Sequence, residues 1–484
     1  MKERLSNCWA LLMVLLIALF TFSCDDEEKY TTSKRAKLTF SCDTVRFDTV
    51  FTTIGSSTQL FKVYNRGKES LLIPSIRLGS GGESGFRINL DGKSGNAFSD
   101  VELRNGDSLY VFAEVTVDPN DEDNPFLLRD SLVFNLASGI VQQVQFEAYG
   151  QDMIPLRGIV FNSDTMLSAN RPYVIYDSLQ VDSQTTLCLE AGTRLHFHQG
   201  AFMRVCGTLI AQGTLDRPII FRGDRLDRLF SYLPYDRLDR QWGGITFTNN
   251  SFDNHLQYVD IHGGNYGILC DSSTCEKPKL LLENSVIHNV GGNALQATNC
   301  SIVVGNSQLT NAYSHCVYIR GGRAEFIFTT IANFYPWDYR AAALRLSNEE
   351  VPLHAADFRN CIITGYSSNE IMKSRHIPEN KDEATLTFNY SFSNSLIGIP
   401  SDSINGEVYQ VVRPDSVGNP VSRIDNFPLI DTDIFFYDFT LDSLSVAIGL
   451  GNESDALMRY PLDRLGRERL TDGTADAGAY EYQR

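Results

Sequence analysis

Between residues 38 and 150, apolar and polar positions alternate with a period of two over short runs, and turn-forming residues separate the runs about every ten positions. That period sends successive side chains to opposite faces of a strand, so the runs at 37–40, 59–64, 70–78, 85–90, 108–117, 130–135 and 142–149 read as strands. From Leu109 to Val115 every odd position is apolar. Short strands at this spacing predict an antiparallel sandwich. Beyond residue 155 a longer rhythm takes over. An apolar residue recurs at Ile261, Ile287, Leu309, Ile331, Ile363 and Ile397, in steps of 26, 22, 22, 32 and 34 residues. A coil of three short strands with their turns takes roughly 20 to 25 residues, so the longer steps predict loops bulging from a coil. Helical solenoids need helix-favouring faces, which these Asn-, Ser- and Thr-rich coils lack.

A local phrase repeats with the coils: Asn-Ser-Val-Ile from Asn284, Asn-Ser-Gln-Leu from Asn306, Asn-Cys-Ile-Ile from Asn360 and Asn-Ser-Leu-Ile from Asn394. Coils stacked in register set Asn284 over Asn306 and Asn360 over Asn394, where amides can bond up the stack. Cys361 then joins a column of small residues with Ser285, Ser307, Thr329 and Ser395, which makes it structural.

The phrase running from Gly207 to Gly223, followed by Trp-Gly-Gly-Ile-Thr-Phe from Trp242, resembles the opening coils of right-handed parallel β-helix proteins, and the resemblance covers roughly residues 155 to 400. The order of strands in 38–150, with an Asn-x-Gly turn and a terminal Gly, resembles the abnormal-spindle-like family of immunoglobulin folds. That resemblance implies a spacer or interaction module without catalytic residues. The closing stretch, with Asp476, Gly478, Ala479, Tyr480 and Glu481, resembles the tail found on many parallel β-helices, which implies a cap over the open end of the solenoid. The expected fold is therefore all-β: a sandwich over 38–150, a right-handed parallel β-helix over 151–400 and a capping region over 401–484.

The N-terminus carries an address. Lys2 and Arg4 precede an almost unbroken apolar run from Cys8 to Phe22, too short for a comfortable membrane span and suited to the core of a signal peptide. Thr-Phe-Ser-Cys, ending at Cys24, resembles the lipobox of bacterial lipoproteins, which implies cleavage after residue 23, acylation of Cys24 and a membrane partner through that lipid. The acidic run Asp25 to Glu28 resembles an export signal to the outer cell surface of Gram-negative cells, and 24–37 reads as a tether. Export permits disulfides, and Cys270 with Cys275 brackets a loop that one would close.

Composition narrows the partners. With 42 Lys and Arg against 59 Asp and Glu the chain is strongly acidic at −17. That argues against nucleic acid, for want of cations to neutralise phosphates, and against electrostatic docking on anionic membranes.

Candidate chemistry is sparse. Pectate-type lyases need clustered carboxylates for Ca²⁺ and an Arg or Lys base, and polygalacturonase-type hydrolases need a close carboxylate pair. The outward positions Leu269, Gln296, Tyr318 and Arg345, with Asp271, Thr298, Arg320 and Ser347, offer one carboxylate, and the only Asp-Asp is Asp25-Asp26. No cofactor is expected; Ca²⁺ in the turn 118–123 is an alternative to a solvated hairpin tip. His262 and His288 occupy equivalent positions and read as a polar ladder, not a metal site, because the next coils place Thr310 and Ala332 in that column. His196 and His198 share one face of a strand. The alternating charges of 222–228 and 236–240 read as a self-compensated surface insertion.

Two features stand out as ligand contacts. The insertion 333–340 packs Phe334, Tyr335, Trp337 and Tyr339 beside Asp338 and Arg340, a mixture suited to sugar rings. Tyr318, Arg320 and Arg345, with His315 nearby, form a group suited to an acidic sugar or to a metal-independent lyase. The leading expectation is a surface lipoprotein with a non-catalytic glycan-binding face carried by Trp337, Tyr335, Tyr339, Arg345 and Tyr318. The alternatives are a lyase or hydrolase of uronate-rich glycans using Tyr318, Arg320, Arg345 and His315, or a structural envelope protein.

Overall fold

The computed structural model describes residues 30–336, 341–378, 385–400, 403, 406, 408–415 and 420–483. The signal segment, Cys24, Asp25 to Glu28, Trp337 and Tyr339 lie outside the described residues. The chain divides into two compact units, one of residues 1–118 and 126–150, the other of 119–125 and 151–484.

The first unit is built from two antiparallel five-stranded sheets around one core. One sheet runs in the order Thr39–Phe40, Gln59–Tyr64, Ser108–Val115, Phe86–Leu90 and Lys93–Gly95; the other in the order Thr44–Phe51, Val141–Gln151, Phe126–Asn135, Leu71–Leu78 and Ala97–Leu103. The alternation forecast from Leu109 to Val115 holds, with Leu109, Val111, Ala113 and Val115 buried. Phe146 sits at the centre, with Phe86 at 5.5 Å, Phe61 at 6.2 Å and Phe47 at 6.5 Å between ring centroids. Thr44–Phe51 and Ala97–Leu103 were not among the runs expected from sequence. The second is mostly exposed, with Phe98 and Val101 partly buried and only Leu103 buried, so its apolar signal is faint.

The second unit is a parallel β-solenoid. Its strands stack into three parallel ladders, and the chain visits them in turn, as in Asn254–Gln257, Val259–His262 and Ile268–Cys270. Ile261, Ile287, Leu309, Ile331, Ile363 and Ile397 fall in one register column, each fully buried. Parallel pairing continues to Arg413–Pro414, so the solenoid runs past residue 400.

The repeated Asn marks a corner between two ladders. Asn284, Asn306, Asn360 and Asn394 have φ of 50°, 51°, 55° and 47°, a left-handed conformation that Asn tolerates better than most residues. Asn306 Nδ2 donates to Asn284 Oδ1 at 2.6 Å, as the repeat suggests. The upper pair departs from that pattern: Asn360 donates to Asp455 and Asn394 to the Leu450 carbonyl, because the C-terminal segment reaches these corners. The small-residue column is present and bonded. Ser285 N–H donates to Ser307 Oγ at 3.1 Å and Cys361 N–H to Ser395 Oγ at 3.0 Å.

The C-terminal segment lies along one side of the solenoid, not over its open end as the resemblance of its closing phrase implied. Phe427, Phe439, Leu441, Ala447, Leu450 and Tyr480 form a shared core with the outward side chains Ala332, Ile362 and Leu396. These outward positions are apolar, and covering them removes hydrocarbon from water. The closing phrase is the clamp. Gly478 sits at φ 96° where a Cβ would meet Ile362 Cδ1 at 2.7 Å, and Ala479 N–H donates to Thr330 Oγ1 at 3.0 Å.

Cys270 and Cys275 are free thiols, so the loop-closing disulfide that their spacing left open is not formed. The buried Cys270 thiol instead meets Cys300, whose hydrogen bond, with burial, pushes its pKa well up. In the turn before the solenoid Asp123 Oδ1 lies 2.6 Å from Arg171 Nε, so an arginine, rather than solvent alone, balances the acidic turn 118–123.

Candidate binding site

One ladder places polar side chains on the outside of its first coils. Register sets His196 beside Arg222, His262 beside His288, and Thr310 beyond them, while Asp260 lies two residues before His262 and thus on the same face. The imidazoles of His262 and His288 stack with centroids 4.8 Å apart and planes at 29°. Beneath them Trp242 is fully buried, stacked on Phe197 at 4.2 Å, and its indole N–H donates to the His262 carbonyl at 2.8 Å. That bond fixes the strand end that carries His262.

The insertion between Gly223 and Gln241 closes over this row. Gln241 Nε2 donates to the carbonyls of Tyr235 (2.6 Å) and Leu238 (2.8 Å), which folds the insertion back on itself. The fold delivers Asp236 to the site: its Oδ1 lies 2.8 Å from His262 Nε2 and 2.7 Å from Arg222 Nη1. Asp260 Oδ1 lies 2.8 Å from His262 Nδ1 and 3.2 Å from His288 Nε2. Part of the insertion is self-compensated as the charge pattern suggests, with Arg225 Nη2 2.6 Å from Asp227 Oδ2. Its other acids turn inward: Asp236 to the histidines, and Asp239 to accept from the Tyr335 phenol.

Burial opposes protonation of His262, but the carboxylates of Asp260 and Asp236 outweigh it and hold the imidazole up at about 9. Burial likewise works against ionised carboxylates, yet both acids sit below their usual range: Asp260 through the charges of His262 and His288, Asp236 through its hydrogen bond to His262 and the charges of His262 and Arg222. His196, one position further down the column, is buried beside the Arg222 cation and is lowered to about 3.

A cleft of about 240 Å³ opens beside this row. Asp236, His288, Asn289 and Gln308 supply one wall, and Phe436 and Tyr437 of the C-terminal segment the other. Arg237 ties the walls together, with Nη1 2.9 Å from the Ile434 carbonyl and its guanidinium 4.8 Å from the Phe436 ring centroid. Phe436 is 44% exposed, and neighbouring Phe435 holds φ at 55°, an uncommon conformation for an aromatic residue. Rigid polar groups opposite an exposed ring can orient a polar ligand with apolar faces. Asp260, His262 and His288 bring their ligating atoms within 4.8 Å of one another, a spacing open to a metal ion.

The residues singled out from sequence gather elsewhere. Tyr318 and Arg345 pair in register on another ladder, with the guanidinium 4.6 Å from the ring centroid, and His315 lies 5.9 Å from the same ring. The arginines there already have partners: Arg320 meets Glu350 at 2.8 Å and Arg345 meets Glu349 at 3.6 Å. His315 is buried, its Nδ1 is 2.7 Å from the Ala342 carbonyl, and burial lowers its pKa. Tyr335 is 5% exposed, so its ring packs inward and offers no face to a sugar, contrary to the expectation from its loop. Asp260 had a signal in the sequence, the Asp-x-His step from 260 to 262. Asp236 and Phe436 had none, because both enter from segments distant in sequence.

No protein-family model matches the chain, and no curated protein matches it. Among solved structures, the catalytic domain of a GH87 α-1,3-glucanase matches over 75% of this chain and 91% of its own, at 9% identity and a TM-score of 0.16. A family 123 glycoside hydrolase from Clostridium perfringens matches over 24% of this chain and 26% of its own, at 5% identity and a TM-score of 0.17. The ASH/PapD-like domain 7 of human CEP192 matches over 27% and 96%, at 12% identity and a TM-score of 0.17. Two of these three neighbours are glycoside hydrolases, and all three likenesses are too weak to carry an inference about this chain.

Proposed function

We propose that this chain is a lipid-anchored surface protein that binds glycans in the cleft between the His262–His288 row and the Phe436 wall. Cys24 carries the anchor, and the first unit, read as an immunoglobulin-type sandwich, serves as spacer. The observation that supports the reading is the pairing of an exposed ring, Phe436, with fixed hydrogen-bonding groups across a cleft of about 240 Å³. Sugars present apolar C–H faces and hydroxyls together, and such walls suit both.

Isothermal titration with acidic and neutral oligosaccharides tests this. Phe436→Ala is expected to weaken binding about tenfold, the loss of roughly 1.4 kcal/mol of stacking, with an unchanged melting temperature. Arg345→Ala tests the rival ridge at Tyr318. If only Arg345→Ala weakens binding, the ligand lies there and the cleft is the wrong site.

A second reading, cleavage of uronate-rich glycans, finds support in the same place. Asp236 and Asp260 are carboxylates on opposite edges of the His262 ring, and acid–base chemistry on a glycosidic bond uses paired carboxyl groups. New ultraviolet absorbance or reducing ends on incubation with uronate polymers would favour it over binding alone.

A further inference from the structure

We propose that Asp260, His262 and His288 form a binding site for a divalent metal ion of the zinc type, with its free coordination position facing the cleft. This inference is independent of the glycan reading and departs from the metal-free ladder expected from the histidine column.

Four observations carry it. Asp260 Oδ1 stands 2.8 Å from His262 Nδ1 and 3.2 Å from His288 Nε2. Around a tetrahedral ion with bonds of about 2.0 Å, neighbouring ligand atoms are about 3.3 Å apart, so small shifts of these side chains suffice to admit the ion. The third ligand is missing from the His262–His288 column because it comes from the adjacent outward position of the same strand.

The second observation is the partner on the far side of His262. Its Nε2 lies 2.8 Å from Asp236 Oδ1, and Asp236 is held in turn by Arg222 at 2.7 Å. A ligating imidazole characteristically donates its other N–H to a carboxylate, which fixes the tautomer and makes the ligating nitrogen a better donor.

The third is the stacked pair itself. With centroids 4.8 Å apart, the two rings turn His262 Nδ1 and His288 Nε2 to the same Asp260 oxygen, so a single cation can take one lone pair from each. Finally, the donor set selects the ion. Two nitrogens and one carboxylate oxygen suit zinc and its neighbours, whereas Ca²⁺ takes six to eight oxygens. His288 is a quarter exposed and lines the cleft, so the fourth position opens onto the space where a ligand would enter.

The test uses the full chain, stripped with chelator and titrated with Zn²⁺ and, separately, Ca²⁺ in the absence of glycan. One equivalent of Zn²⁺ is expected to bind and raise the melting temperature. His288→Ala should weaken binding at least a hundredfold, and Asp236→Asn, an outer partner, ten- to a hundredfold. Because His262 is buried and its loss would open a hole beside Trp242, His288→Ala is the deciding variant, with circular dichroism to confirm its fold; Thr310→Ala in the next coil should bind like the parent. No binding by the parent chain overturns the proposal. So does unchanged binding by a folded His288→Ala, which places the ion elsewhere, or a preference for Ca²⁺, which contradicts the donor set. Glycan titration with Phe436→Ala is a separate readout, so either reading can fail alone.

Discussion

At the scale of single residues, His196 illustrates how burial sets chemistry. It is 6% exposed, beside Arg222 in the outward column, and its pKa is lowered from 6.5 to about 3. A depressed folded pKa means that the unfolded chain takes up the proton first. The stability contributed by neutral His196 is therefore complete above pH 6.5 and is lost as pH falls from 6.5 towards 3. At pH 5 the loss amounts to about 2 kcal/mol. In denaturant melts, stability should fall by about 2 kcal/mol more for the parent than for His196→Gln between pH 7 and pH 5. Equal falls would mean that His196 charges freely in the folded protein. Arg345 and Tyr318 show the opposite situation. Their types suggest a ligand, but Glu349 lies close enough to pair with Arg345 and Glu350 with the adjacent Arg320.

Among elements, the C-terminal segment depends on one buried cation. Arg469 is fully buried, donates to Glu481 Oε2 at 3.0 Å, Asn306 Oδ1 at 2.6 Å and the Gly478 carbonyl at 3.0 Å, and lies 4.0 Å from the Phe328 ring centroid. It bolts the closing phrase to a corner asparagine of the solenoid. Burial and Asp476 already push the Glu481 carboxyl up to about 9, so Arg469→Met removes hydrogen bonds from Glu481 and Asn306 rather than baring a charge, at about 1–3 kcal/mol for each buried group left short of a donor. Chemical denaturation of the second unit should report a loss of that size, and protease should cut the segment after 452 sooner. A loss below 1 kcal/mol would show that the apolar contacts alone hold the segment. The same segment supplies Phe436 and Tyr437, so its docking also builds one wall of the cleft.

For the whole molecule, each unit has its own hydrophobic core. Under the proposed function the first unit is the spacer and the second the binder. Attachment to a surface is argued from residues 1–28 alone. Cys24→Ala is expected to move the protein from the membrane fraction to the soluble fraction of cells that process lipoproteins, as immunoblots of fractionated cells would register. Retention of the variant in membranes would rule out the lipid as the anchor.

The sequence alone was enough for the fold class of both units, though not for the place of the C-terminal segment. A period of two specifies half-buried strands, and a recurring apolar residue at coil spacing specifies a parallel solenoid, because each coil buries its hydrocarbon only against identical neighbours. The corner asparagines, the small-residue column and the Ile261-to-Ile397 column were legible for the same reason: local repetition records the stacking. The site was legible by half. His262 and His288 declare themselves by equivalent position, and Asp260 by its step of two. Asp236, Arg222's ion pair and Phe436 were decided by tertiary structure, since an insertion and a C-terminal segment fold back over the first coils to reach them. Nothing periodic encodes such contacts. They arise because the outward columns of one ladder are too apolar, and its charges too crowded, to be left in water without partners from elsewhere in the chain.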